Sequence, residues 1–390
     1  MSSRPNPRQE ASFIPSLPFR SVGVEMRKTA TAATKQEVEG EGEAVAIRRS
    51  VKALLFGGWE EKEAAVRDWA KAKQNRRREL AELGVLPPLV AMLADGRDEG
   101  CRRLAAEALV ELADGSFRNK VLIVEAGFVE LLPLFQKAKE TSIKQALAPL
   151  LLSISTLATT PFPVDVHPIL STLLSILNST PPPSAATTMA CAAALCHLST
   201  KLQSAKSLVS AGAVHTLLKL CSDAGAAEAA LSALCNLALS SAGREAIGGD
   251  SLVPGALVEA MAREAEPRCR ELGAYLLMVV ARGSAKQRRR MEEAGAVPML
   301  LEVALLGSGV ASRRAIRMLQ WLKGGGRVGV GGDGFEVEEE EDGDNDGEGG
   351  MKQRSRAVRG LVTQSLHRNM ESILSRGREK DANGEKKLTS

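Results

Sequence analysis

Aromatic residues are nearly missing from this chain: they make up 3% of 390 residues, with a single Tyr. A composition so short of rings suits closely packed helices better than one wide core. Val, Ile and Thr rarely alternate with polar residues over strand-length runs, so the period-two signature of a sheet is also lacking. No run of about 18 apolar residues occurs, and Pro5, Pro7, Pro15 and Pro18 interrupt the first twenty residues. Neither membrane insertion nor a secretory signal is expected. The six cysteines (Cys101, Cys191, Cys196, Cys221, Cys235 and Cys269) form no Cys-x-x-Cys pair and lie in apolar helical contexts. That usage suits reduced, buried thiols in the cytoplasm or nucleus.

Groups for catalysis are equally scarce. The histidines are four, His167, His197, His215 and His367, and none belongs to a spaced metal or general-base motif. Gly324, Gly326 and Gly329 match a dinucleotide-loop spacing, but they follow a helical pattern and lead into an acidic stretch. Asp342, Asp344, Asp346 and Gly347 imitate the start of a calcium loop, and the twelfth position is Gln353 where a bidentate Glu is needed. No cofactor, no metal and no enzymatic activity are expected. The net charge of +4 is a small difference between 51 basic and 47 acidic residues. Arg288 to Arg290 and Lys71 to Arg78 are basic clusters without interleaved aromatics, so a nucleic-acid partner is not expected.

What the chain does contain is a repeat. A small-residue hinge recurs at Glu125, Ala126, Gly127, Phe128 and Val129, at Ser210 to Val214 and at Glu293 to Val297, with Gly84 and Val85 a looser fourth. Gly84 and Gly127 are 43 residues apart, Gly127 and Gly212 85, and Gly212 and Gly295 83. The two longer gaps each hold one unit whose glycine is lost, which sets the period near 42, in the range of HEAT and armadillo repeats. A second landmark, an apolar core of the type Ala-Leu-x-x-Leu, recurs seven times with its fourth position at 68, 111, 153, 197, 236, 278 and 318. Each unit reads as a short helix, a glycine hinge, a second helix and a longer third helix. The glycine serves a sharp turn. Pro87, Pro133, Pro168 and Pro298 follow the hinges, as expected of a first helical turn.

The fold class expected is all-α, a right-handed α-solenoid of about seven armadillo-like repeats over residues 46–323, because one unit cannot cover its own apolar face. Residues 1–45 lack periodicity and are expected to be disordered; the paucity of acids in the first 35 is also a hint of an organellar transit segment, with disorder the reading preferred. Residues 324–350 read as a Gly-rich acidic linker. Residues 351–377 read as a basic amphipathic helix, with Val358, Leu361, Val362, Leu366, Ile373 and Leu374 opposite Arg354, Arg356, Arg359 and Arg368. Residues 378–390 read as a disordered tail.

The hinges, together with Ala233, Leu234, Cys235, Asn236 and Leu237, resemble armadillo repeats. The stretch from Ile47 to Ala65 is similar to the start of the armadillo region in plant U-box ubiquitin ligases. In that family a U-box precedes the repeats and recruits the conjugating enzyme, whereas the 45 residues ahead of them here contain no cysteine. The resemblance therefore implies the binding half of such a protein, a non-enzymatic scaffold or adaptor in ubiquitin-linked signalling. Its alternative is a ligase component with the catalytic module lost or supplied in trans. It also implies that third helices line a concave face whose fourth core positions contact a protein or peptide ligand. That column is expected at Asp68, Glu111, Ser153, His197, Asn236, Met278 and Met318, with Asn236 alone keeping the family's backbone-clamping residue. A partner is expected to lay basic residues near the first repeats and apolar ones near the last.

Overall fold

The computed structural model describes residues 45–69, 80–95, 98–137, 141–262 and 267–323. Apart from Val45, the expected N-terminal disordered segment lies outside them, as do the acidic linker, the basic amphipathic helix, the C-terminal tail and the Lys71 to Arg78 cluster. The chain divides into two compact units, one ending at Val85 and the other beginning at Leu86. Among the described residues the regular structure is helical throughout.

In the first unit, α1 spans 45–56, α2 spans Trp59–Trp69 and α3 contributes a last turn at 80–82. Ile47, Val51 and Leu54 of α1 and Ala65, Val66 and Trp69 of α2 are buried. The Trp69 indole N–H donates to Ser50 Oγ at 2.7 Å, which satisfies the one polar atom of a buried ring.

The second unit opens with α4 (Leu86–Asp95) and α5 (Glu99–Ala113), then repeats a three-helix pattern. The successive sets are α6 (Phe117–Glu125), α7 (Phe128–Lys137) and α8 (Thr141–Ser155); a 3-10 turn (Thr156–Thr159), α9 (Val166–Leu177) and α10 (Ala185–Ser199); and α11 (Leu202–Ser210), α12 (Ala213–Leu220) and α13 (Ala227–Ala238). Two more follow: α14 (Ser241–Gly249), α15 (Gly255–Met261) and α16 (Pro267–Gly283), then α17 (Ala285–Glu293), α18 (Ala296–Leu306) and α19 (Gly309–Lys323). The third helices α5, α8, α10, α13, α16 and α19 each pack on the next, and the second helices α7, α9, α12, α15 and α18 form a parallel layer behind them. This is an armadillo-like α-solenoid, in which neighbours supply the cover that one unit lacks.

The hinge glycines behave as their recurrence predicts. Gly84, Gly127, Gly212 and Gly295 take φ of +78°, +91°, +77° and +77°, the left-handed region that a Cβ disfavours. Around Gly212 and Gly295 an added Cβ would meet nothing within 4 Å, so backbone conformation, not space, selects glycine there. In the two units without a hinge glycine, an Asp turn takes its place. Asp165 Oδ1 accepts from His167 N ahead of α9, and Asp250 Oδ1 accepts from Leu252 N ahead of α15.

One sequence expectation is corrected. Pro87, Pro168 and Pro298 do lie in first turns, but α7 begins directly after its hinge at Phe128, so Pro133 sits inside that helix. Lacking an N–H, it leaves the carbonyl four residues back without its intrahelical donor.

Helix ends are closed by a recurring device. Ser116, Ser240 and Ser284 cap the N-termini of α6, α14 and α17, and a basic residue follows each cap by four: Lys120, Arg244 and Arg288. Arg244 donates to Ala238 O and Leu239 O at 3.1 Å, and Arg288 donates to Ala281 O at 2.6 Å. Both cations thus sit on orphan carbonyls at the negative end of a preceding third helix.

Gly212→Ala and Gly295→Ala are each expected to lower stability by about 1 kcal/mol. Gly248→Ala, at an open position in α14 with no positive φ, is expected to leave it unchanged or raise it; urea midpoints of the full chain compare the three. Removing residues 198–236, one unit in register, is expected to retain helicity per residue by circular dichroism, whereas loss of most helix would rule out stability shared among neighbours.

Candidate functional site: the face of the third helices

The third helices share one buried signature. In α13 it is Ala230, Leu231, Ala233, Leu234, Leu237 and Ala238. The same spacing is buried in α8 (Ala148, Leu150, Leu151, Ile154), in α10 (Ala192, Ala194, Leu195, Leu198) and in α16 (Ala274, Leu276, Leu277, Val280). The residue just before the last apolar anchor is the one that turns outward. In the second unit that row reads Glu111, Ser153, His197, Asn236, Val279 and Arg317, all exposed or half-buried. In the first unit Asp68 occupies the corresponding exposed place beside buried Trp69.

Of the six column residues expected in the second unit, Glu111, Ser153, His197 and Asn236 lie in this outward row, and Met278 and Met318 each lie one position from it. Met318 has no exposed surface and belongs to the core; its row position is Arg317. Met278 is half-buried one residue ahead of the row, whose member is Val279. The cause is physical. Tyr275 to Val280 is apolar without a break, so several registers fit the motif equally, and only packing against α13 selects one.

A second row was not anticipated. The residues directly before the polar row are Val110, Leu152, Cys196, Cys235, Met278 and Ile316, each half-buried. They form an apolar stripe across α5, α8, α10, α13, α16 and α19. Its signal in the sequence is that the third core position is apolar wherever the register is right. Burial raises the Cys196 thiol and pushes Cys235 up to about 12, so both sulfurs are neutral and behave as small hydrophobes.

The polar row is tied down between helices. His197 Nδ1 meets Ser155 Oγ at 3.0 Å, and Asn236 Nδ2 donates to Ser199 Oγ at 2.9 Å. In both cases a row residue reaches the position two after the row on the preceding third helix. A Ser–His contact can signal a nucleophile, but Ser155 is fully buried and its hydroxyl also bonds Leu152 O at 2.7 Å. The pair is a lock between α8 and α10. Burial, reinforced by the Lys120 charge, holds the His197 pKa below its ordinary value. Lys120 itself donates to Thr156 Oγ1 at 2.9 Å, and burial lowers its pKa.

Charge is sorted along the face. At α5 it carries Glu107, Glu111 and Asp114, with Arg103 paired to Glu107 at 3.4 Å. Its centre is mostly small and uncharged, with Ser153, Ala193 and Ser232, and carries two isolated charges, Lys120 acting on His197 and Glu228 acting on Cys196. At α16 and α19 it carries Arg268, Arg282, Arg313, Arg314 and Arg317. Arg314 lies over the Tyr275 ring at 5.2 Å and donates to Glu271 O at 3.2 Å. Glu271 accepts from Ser308 and Arg268, which lower its pKa against the opposing effect of burial. The apolar end expected from Met278 and Met318 is thus a basic one.

Comparison with known proteins agrees at the level of fold. No family profile and no curated protein matches the chain. An engineered protein of known structure superimposes with a TM-score of 0.59 at 22% identity, over 74% of this chain and 71% of that one. A designed armadillo repeat protein gives 0.48 at 20% identity, over 61% and 99%. Computationally designed armadillo repeat proteins for modular peptide recognition give 0.40 at 20%, over 70% and 98%.

The His197 environment sets a pH dependence. A folded-state pKa below the unfolded one means that the unfolded chain takes up the proton first as pH falls. Stability is therefore expected to be complete above about pH 6.5, the unfolded value, and to decline as pH falls toward the folded-state pKa. His197→Asn, with no proton to take up, is expected to flatten that part of the curve; equal slopes in denaturant titrations at stepped pH would remove His197 as the cause.

Proposed function

We propose that this protein is a non-enzymatic scaffold that binds an extended protein segment along the face of its third helices. The observation that carries the reading is the unbroken apolar row from Val110 to Ile316 beside a row that is polar except at Val279, with acids at one end and arginines at the other. Apolar contact supplies affinity, and the sorted charges supply register and direction. A ligand that fits carries basic residues against Glu107 and Glu111, apolar residues across the middle and acidic residues against Arg282, Arg313 and Arg317. Asn236 retains an amide oxygen for a backbone N–H while its amino group holds Ser199.

The similarity of Ile47 to Ala65 to the armadillo region of plant U-box proteins supports a place for this scaffold in a ubiquitin-linked pathway of the cytoplasm or nucleus. On that reading it is an adaptor; the second reading, on the same similarity, is a ligase component whose catalytic module acts in trans. A ubiquitination assay separates them. The adaptor alone transfers no ubiquitin from a conjugating enzyme, with or without an added U-box module, whereas the ligase component gains transfer when that module is present.

Selection from a displayed library of random 16-residue peptides against the full chain tests the binding face. Enriched sequences are expected to be basic at one end and acidic at the other. Leu152→Asp or Ile316→Asp is expected to weaken them by about tenfold or more, ~1.4 kcal/mol each, with unchanged circular dichroism. Binders indifferent to both substitutions and to Glu111→Lys would move the site off this face.

A further inference from the structure

We propose that residues 336–374 of the same chain occupy the third-helix face in cis, so that a foreign ligand must displace them. The proposal rests on reading that face as a binding surface, and it adds the occupant.

The order of charge carries it. The described chain leaves the solenoid at Lys323, on the helix that presents Arg313 and Arg317. The sequence that follows is acidic first: Glu336, Glu338 to Asp342, Asp344, Asp346 and Glu348, with no basic residue among them. It then turns basic and apolar, with Lys352, Arg354, Arg356, Arg359 and Arg368 interleaved with Val358, Leu361, Val362 and Leu366. On the face the order away from Lys323 is basic at α19 and α16, mainly apolar at the centre with the opposite single charges Glu228 and Lys120, and acidic at α5. Laid back from α19 toward α5, the segment puts acids on arginines first and arginines on Glu107, Glu111 and Asp114 last. The reverse direction sets like charges together at both ends.

The reach is sufficient. Five helix-to-helix steps of roughly 9 Å separate α19 from α5, about 45 Å in all. Thirteen residues from Lys323 to Glu336 span about 43 Å when extended, more than enough to set the acidic run on α19 and α16. The 31 residues from Lys323 to Arg354 span about 100 Å extended and about 30 Å as a coil, which brackets the distance to α5. Tethering of this kind gives an effective concentration of about a millimolar, so weak docking suffices.

A competing place exists at the end of the stack. Val297, Leu301 and Leu305, one stripe of α18, are half-buried or exposed, whereas Val214 and Leu218, the matching positions of α12, are buried. That end offers an apolar surface for the basic stretch, beside the exposed Lys286 and Arg289 of α17; the face of the third helices offers the same two kinds of contact in the order in which the chain presents them.

Photo-cross-linking of the full chain decides. Benzoylphenylalanine is placed at Ile316, at Leu152 and at Leu301 in separate variants, with Ser153 replacing Leu152 should that variant lose helix by circular dichroism. At low micromolar concentration, Ile316 is expected to capture residues 336–350 and Leu152 residues 354–374, both within one molecule. Arg313→Glu with Arg317→Glu is expected to reduce the first cross-link about tenfold, the effect of ~1.4 kcal/mol, and exchange of Glu338 to Glu341 for Lys in that variant to restore it. Absence of the tail from both captured sets overturns the proposal. So does capture from Leu301 without capture from Leu152, which puts the tail on the end of the stack, and so do cross-links found only between molecules, which make a second copy the occupant. No foreign ligand enters this measurement. If the displayed peptides fail to bind even when Glu338 to Glu341 are exchanged for Gln, the binding reading fails by itself and the cross-links are still read independently.

Discussion

The constraint on which the rest depends is that a single three-helix unit cannot bury both sides of its third helix. Ala230, Leu231, Ala233, Leu234, Leu237 and Ala238 of α13 have no exposed surface, and α10 on one side and α16 on the other pack against that helix, with α11, α12 and α14 behind it. Burial on two flanks consumes most of the helix circumference. What is left is a strip about two residues wide, and that strip, repeated, is the face. The apolar row and the polar row are therefore a by-product of stacking: one lies at the margin of the buried flank and is half covered, the other points clear of it. Side chains such as Leu152 and Cys235 remain partly exposed because the geometry of the stack has no further neighbour to give them.

The same constraint explains the small residues. Third helices that approach each other along their whole length need short side chains between them, and Ala105, Ala106, Ala148, Ala192, Ala194, Ala230 and Ala233 are all buried there. Ser155 and Ser199 extend the pattern with a hydroxyl in place of a methyl hydrogen, and their hydroxyls are then obliged to find partners in a dry interface. His197 and Asn236 provide them. These two residues look like ligand-facing groups from the sequence and are in large part fasteners between neighbours, which leaves Asn236 with fewer free valences for a peptide than its type suggests.

Most of the fold was legible because its signals are periodic. Four glycines at left-handed φ and the recurring apolar cores agree on one repeat length, and each is a statement about backbone geometry or burial that a sequence carries directly. The site was legible only where the core contrasts with its surroundings. Around Asn236, small and large apolar residues alternate with polar ones and fix the register. Around Met278 and Met318 that contrast fails, since Tyr275 to Val280 is apolar throughout and Arg314 replaces the buried Ala233 type. Arg314 is tolerated there because Tyr275 and the Glu271 carbonyl accept it, a tertiary arrangement with no local signature. The charge sorting was hidden for the same reason: Arg317 and Arg282 join one surface only after the register is known.

Sorted charge has a consequence for how such a face would hold anything. The acidic and basic ends lie about 45 Å apart by helix spacing, several Debye lengths at physiological ionic strength, where the length is about 8 Å. Neither end feels the other, so each must be satisfied locally. Within the basic end, by contrast, Arg282, Arg313, Arg314 and Arg317 lie on neighbouring helices, and Arg314 rests on the Tyr275 ring and the Glu271 carbonyl. An acidic segment laid across them gains charge attraction, whereas the central apolar row gains only what area burial provides. Raising salt should thus loosen the two ends of a bound segment before its middle, which Leu152, Cys196 and Cys235 hold by apolar contact that salt does not screen.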